Sequence, residues 1–133
     1  MLNYTNAVTE EKSYSGLQMK EFKPVMKLII RGKKREFLSA IGKSLNLLLP
    51  TEANTSSRSD KLTALWLSPD EWMVYSNETI NSESNEYETE NLLNNNISKT
   101  NLGAVTNVTD QFVLINIKGD KIFELFETGS PFN

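Results

Sequence analysis

Few side chains in this sequence are equipped for chemistry, and the absent ones matter as much as those present. The 133 residues include no histidine and no cysteine. Histidine is the commonest general base and metal ligand, while cysteine supplies thiolate nucleophiles, disulfides and many zinc sites. Histidine-dependent triads, zincin-type metal centres and Cys–His protease chemistry are therefore excluded. Carboxylate, lysine, tyrosine and serine chemistry remains. Asp70 and Glu71 form an adjacent acidic pair, but neighbouring strand residues point to opposite faces and do not share a substrate. The pair reads as a turn cap facing water. Glu83, Glu86, Glu88 and Glu90 have the charge of a calcium loop without its alternating oxygen ligands, central glycine or closing glutamate. They read as a solvated acidic segment.

Arg31-Gly32-Lys33-Lys34-Arg35 is the one basic cluster. A guanidinium fork suits phosphate or carboxylate. Neither GxxxxGK[ST] nor GxGxxG surrounds the cluster's glycine, however, so it reads as a solvated strand-to-helix turn. Trp66, Trp72 and Tyr75 carry enough aromatic surface to stack a planar ligand, or to supply core and interface area. The second use is the expected one. The sequence thus offers no self-contained active site, and it reads as a scaffold or binding subunit.

Composition sets the frame for these residues. A chain of this length is about one domain, and 38% hydrophobic with 23% charged residues is globular in character. The net charge of −3 lacks the basic excess of a dedicated nucleic-acid binder. Charge is uneven along the chain. Residues 1–43 hold nine Lys/Arg against four acids, a balance of +5, while residues 44–133 hold five against thirteen, a balance of −8. The amino terminus is polar, without the apolar core of a secretory signal, and no apolar run nears the ~20 residues that span a bilayer. A cytoplasmic location, with neither membrane nor nucleic acid as partner, is the expectation.

Hydrophobic periodicity places the elements. Residues 1–24 read as a polar N-terminal segment and 25–133 as a single α+β domain. A strand is expected over 25–31, with Met26, Leu28 and Ile30 on one face, and a helix over 34–45, carried by Phe37, Leu38, Ile41 and Leu45. Pro50 lies beyond that helix. Residues 51–60 and 76–86 read as polar loops. Between them, strands 64–67 and 71–75 flank Ser68-Pro69-Asp70. That is a hairpin signal, and its three-residue loop sets Trp66 opposite Trp72. A weak helix over about 85–95 uses Leu92 and Leu93. Strands 103–108 and 112–117 read as a second hairpin across Thr109-Asp110. A last helix carries Ile122, Phe123, Leu125 and Phe126, with Asp120 at its start and Gly129 and Pro131 at its end. The order β-α-β-β-α-β-β-α implies helices packed on a small, mainly antiparallel sheet.

The segment Leu65-Trp66-Leu67-Ser68-Pro69-Asp70-Glu71-Trp72-Met73-Val74 resembles the L-W-L-G-P-D-E-W-L-[VL] signature of the gamma subunit family of heterotetrameric sarcosine oxidase. Leu49-Pro50-Thr51-Glu52-Ala53-Asn54 is similar to the family's L-P-x-x-x-N. The strand and turn 103–111 and the segment 125–133 also follow the family's order, with Ser68 replacing glycine, Ser130 cysteine and Asn133 aspartate. The likeness covers about 25–133, and family chains continue further. It implies a fold similar to the aminomethyltransferase folate-binding domain and a non-catalytic gamma subunit, with alpha, beta and delta subunits as partners. The complex would oxidise sarcosine to glycine with formation of hydrogen peroxide and, with tetrahydrofolate, methylenetetrahydrofolate. FAD, FMN, NAD, zinc and tetrahydrofolate would belong to the parent complex and no cofactor or metal to this chain. Leu65, Trp66, Leu67, Pro69, Asp70, Glu71 and Trp72 would be structural or interface residues. The alternative is a stand-alone folate-binding protein of the aminomethyltransferase superfamily.

Overall fold

A computed structural model describes residues 5–8, 11–80, 87–97 and 99–131. Contacts within the chain sort into two compact units, one comprising 24–112 and the other 1–23 together with 113–133.

The larger unit is built on five antiparallel strands. They are β3 (Lys27–Gly32), β4 (Ser56–Arg58), β5 (Leu62–Ser68), β6 (Glu71–Ser76) and β7 (Gly103–Asn107), arranged in the order β4-β5-β6-β3-β7. Register sets which side chains share a face. The pairs Leu28↔Val74 and Ile30↔Trp72 put the apolar residues of the two central strands on one side. Two helices cover that side. Helix α1 (Arg35–Leu45) contributes Phe37, Ile41 and Leu45, and α2 (Glu88–Ile97) contributes Leu93 and Ile97. These residues, with Met26, Leu47 and Ala64, form one buried cluster. At the expected helix over 85–95, residues 85 and 86 lie outside the described set. The buried stripe of α2 is Leu93 and Ile97, and Leu92 is exposed. Helix α1 stops where Asn46 turns left-handed, φ 49°, a conformation asparagine tolerates better than most side chains.

Gly32 does more than end a strand. It stands opposite Gly103 in the β3–β7 register, and the Phe37 ring lies over both. A Cβ at either position would run into ring carbons, and at Gly103 also into the Arg31 carbonyl oxygen. The two glycines thus form the seat of the first buried residue of α1.

The smaller unit holds β1 (Lys12–Tyr14), β2 (Leu17–Glu21), β8 (Ile115–Lys118) and α3 (Ile122–Gly129), with the strands ordered β1-β2-β8. Three expectations change here. The polar stretch 51–60 contains β4, whose Ser-Ser-Arg sequence has no apolar signal and is held by its backbone ladder to β5. The expected hairpin across Thr109-Asp110 does not form. Strand β7 pairs with β3, while β8 pairs with β2 in the other sheet. Period-two alternation identifies a strand without naming its partner. Finally, α3 begins after Lys121 with no side-chain cap, so Asp120 does not cap it.

The glycine seat is directly testable. Gly32→Ala is expected to lower stability by about 1–3 kcal/mol through overpacking against Phe37. In a Phe37→Leu background that penalty should shrink, because neighbours are not additive. Denaturant midpoints of the four proteins measure it, and an equal penalty in both backgrounds would contradict the assignment.

Candidate functional site

The hairpin singled out by sequence is formed by β5 and β6. Trp66 pairs directly with Trp72, as the three-residue loop predicts. A register shift between Trp66 and Ser68 leaves Leu67 out of the ladder and exposed. Alternation then divides the motif. Trp66 and Trp72 share the face of Ala64 and Val74, which is the core side, while Leu65 lies on the opposite face with Met73. Trp72 is buried and Trp66 half-buried.

The buried indole has a defined partner. Trp72 Nε1–H donates to the Pro50 carbonyl oxygen at 2.7 Å, and Pro50 is itself buried. The two stretches read as separate motifs, Leu49-Pro50 and the tryptophan hairpin, therefore meet through one hydrogen bond across 22 positions of sequence. A buried tryptophan needs such an acceptor, because an unpaired indole N–H would carry a desolvation cost.

At the turn, Ser68 Oγ donates to Asp70 Oδ1 at 2.9 Å, and the Asp70 carbonyl accepts the Gly32 amide at 3.0 Å. Lys33 Nζ lies 3.7 Å from Asp70 Oδ2, and Arg31 Nη2 lies 3.8 Å from Glu71 Oε2. Arg31 and Glu71 are direct cross-strand neighbours. The Ser68 hydrogen bond, aided by Lys33 and Arg31, holds the Asp70 carboxyl below the usual aspartate range. A carboxyl so held is charged at neutral pH and unsuited to act as a general acid. The structure thus joins Arg31 and Lys33 of the basic cluster to the acidic turn, which the sequence had left as two separate solvated features. Pro69 is exposed at the tip.

Sequence reasoning missed Lys27. It is buried at the start of β3, and its Nζ donates to the Val25 carbonyl at 3.0 Å and the Thr109 carbonyl at 3.1 Å. Its amide donates to Thr109 Oγ1 at 3.0 Å. Desolvation lowers the Lys27 pKa from 10.5, and nearby Asp110 partly opposes this. The lysine straps the turn after β7 to β3. A lysine inside an apolar run is no sequence signal for burial, so nothing flagged it. A cavity of about 310 Å³ beside this strap is lined by Tyr87, Glu90, Asn107, Thr109, Asp110 and Gln111. Within it Asn107 Nδ2 donates to Glu90 Oε2 at 2.8 Å. Glu88 and Glu90 sit in the first turn of α2, favourable for a helix N-terminus, and Glu83 and Glu86 lie outside the described residues.

Among the described residues no group of three or more His, Cys, Asp or Glu is placed to hold a metal ion, and none of their buried side-chain polar atoms lacks a partner. The aromatic hairpin has its tryptophans on the core side, is braced by hydrogen bonds and is flanked by ion pairs, within a small α+β fold. Comparison with known proteins places that fold. The sequence profile of the sarcosine oxidase, gamma subunit family matches residues 31–133, and the chain belongs to that family. A chain of the heterotetrameric sarcosine oxidase from Corynebacterium sp. U-96, in complex with pyrrole 2-carboxylate, matches with a TM-score of 0.75 and 15% identity. The match covers 92% of this chain and 60% of that one, so this chain spans less than two thirds of its length. No curated protein matches the sequence.

Two outcomes follow from this geometry. Trp72→Ala is expected to cost about 3–5 kcal/mol, and Trp72→Phe, which leaves the Pro50 carbonyl unpaired, about 1–3 kcal/mol. Trp66→Ala should cost less than Trp72→Ala. Urea titration measures all three, and a Trp72→Ala protein of wild-type stability would remove the brace. Lys27 gives a pH dependence. Its folded pKa is lowered, so between that value and 10.5 the unfolded chain binds more protons and stability rises with pH. Denaturation across that range should shift the stability difference from Lys27→Met in favour of wild type as pH rises. A difference that stays constant would contradict a desolvated ammonium.

Proposed function

We propose that this chain is a non-catalytic gamma subunit of a heterotetrameric sarcosine oxidase. In this reading the complex converts sarcosine to glycine and hydrogen peroxide and passes the methyl carbon to tetrahydrofolate as methylenetetrahydrofolate. The family match over 31–133, which includes the tryptophan hairpin, carries the proposal. The chemistry of the chain supports the division of labour. It has no imidazole or thiolate for zinc, and no glycine-rich phosphate loop for a dinucleotide. The hairpin spends its two tryptophans and its carboxylates on internal contacts. These residues do not suit FAD, FMN, NAD or zinc, and in this reading those groups, and tetrahydrofolate, belong to the alpha, beta and delta subunits.

Among the described residues no helix is long and apolar enough to cross a membrane. The cytoplasm is the compartment we propose for the assembly. The role of Leu65, Trp66, Leu67, Pro69, Asp70, Glu71 and Trp72 is to keep the subunit's shape and the surface it offers to partners.

Co-expression with the three other subunits tests the proposal. The purified assembly is expected to contain this chain, carry flavin absorbance and release peroxide on addition of sarcosine. The isolated chain should neither bind flavin nor consume sarcosine. Turnover by the chain alone, or its absence from an active oxidase, would overturn the reading. Tight folate binding by the chain alone would favour a stand-alone folate protein.

A further inference from the structure

The smaller unit carries apolar residues without a buried core. Every buried hydrophobic residue among those described lies between Val25 and Val108, in the larger unit. In the β2–β8 ladder the pairs Met19↔Ile117 and Glu21↔Ile115 gather Leu17, Met19, Ile115 and Ile117 on one face. None of the four is buried. Helix α3 goes further. It reads Ile-Phe-Glu-Leu-Phe-Glu-Thr-Gly, and none of its residues is buried. Phe123 is 78% exposed and Phe126 48%.

Spacing orders this surface. Phe123 and Phe126, three apart, share one side of α3, and Glu124 and Glu127 form a parallel row beside them. The helix has no lysine or arginine. Glu127 sits toward the negative end of the helix dipole, where a carboxylate is unfavourable until a cation approaches. The exposed parts of the two phenylalanines offer on the order of 200–300 Å² of apolar surface. With Leu125 of the same helix that nears the lower end of the ~300–600 Å² of the largest patch on an ordinary monomer. A second copy is a poor occupant. Two such helices packed antiparallel on a twofold axis would bring their glutamate rows together, and like charges so placed disfavour the pairing. The pattern calls instead for a different protein with an apolar groove and a basic lip.

We infer that α3 is the docking helix of this chain. Phe123 and Phe126 enter an apolar groove on a larger subunit of the oxidase, and Glu124 and Glu127 meet lysine or arginine at its edge. The inference rests on the subunit reading above and adds the element and the partner chemistry to it.

Co-expression of the tagged chain with the large subunits, followed by gel filtration and an affinity titration, provides the test. Wild type, Phe123→Ser/Phe126→Ser and Glu124→Lys/Glu127→Lys are compared, with melting of each isolated chain as control. Both double variants are expected to lose at least ~10-fold in affinity for the large subunit while melting close to wild type. Undiminished retention of the variants would overturn the docking helix. So would collapse of the isolated phenylalanine variant, which would show the face already covered by its own chain, or a wild-type dimer that the variants abolish. Failure of wild type itself to hold a large subunit would instead sink the subunit reading.

Discussion

The indole of Trp72 is the point on which the larger unit turns. It is the bulkiest fully buried side chain, it lies opposite Ile30 in the central strand pair, and its one polar atom reaches the Pro50 carbonyl. That bond fixes the chain leaving α1 against the sheet that α1 covers. The remaining core residues on β3, β6, α1 and α2 are apolar and interchangeable in kind, so they favour burial without specifying one arrangement. A buried donor with a single acceptor does specify one, because any other placement leaves it unpaired. The glycine pair beneath Phe37 adds a steric counterpart at the other end of the same helix.

This placement commits a signature rich in tryptophan and carboxylate to contacts within the chain. Its faces alternate, so Trp66 and Trp72 are committed to the core side. Its acids are bound to Arg31, Lys33 and Ser68. The residues that look most like a site in the sequence are those the fold uses to hold itself. Reactivity, in the proposed assembly, belongs to other chains, and what this one adds is shape and surface.

Much of the larger unit was legible from period alone. Leu28 and Ile30 alternate, Phe37, Ile41 and Leu45 recur at helical spacing, and Ser68-Pro69-Asp70 has the length that sets Trp66 against Trp72. Three things were not. Strand β4 has no apolar side chain to betray it, since its stability comes from backbone bonds to β5. The partner of β8 is chosen by tertiary pairing, which alternation does not encode. Burial of Lys27 depends on carbonyls of Val25 and Thr109, the second 82 positions away. For the candidate site, the tryptophan pair was readable, but its anchor at Pro50 was not, because a carbonyl acceptor is the same at every residue. The apolar stripe of α3 was read correctly as a helix, while its exposure lies beyond what any stripe reports.

The sequence contains two tryptophans, so the indole N–H protons give two resonances and a clean measurement. Hydrogen exchange of those protons in the folded chain addresses the central claim without any substitution. If Trp72 anchors the fold, its indole proton exchanges only through global opening, with a protection free energy equal to the unfolding free energy of the larger unit. Two indole protons that both exchange at the rate of a local surface opening would contradict the account.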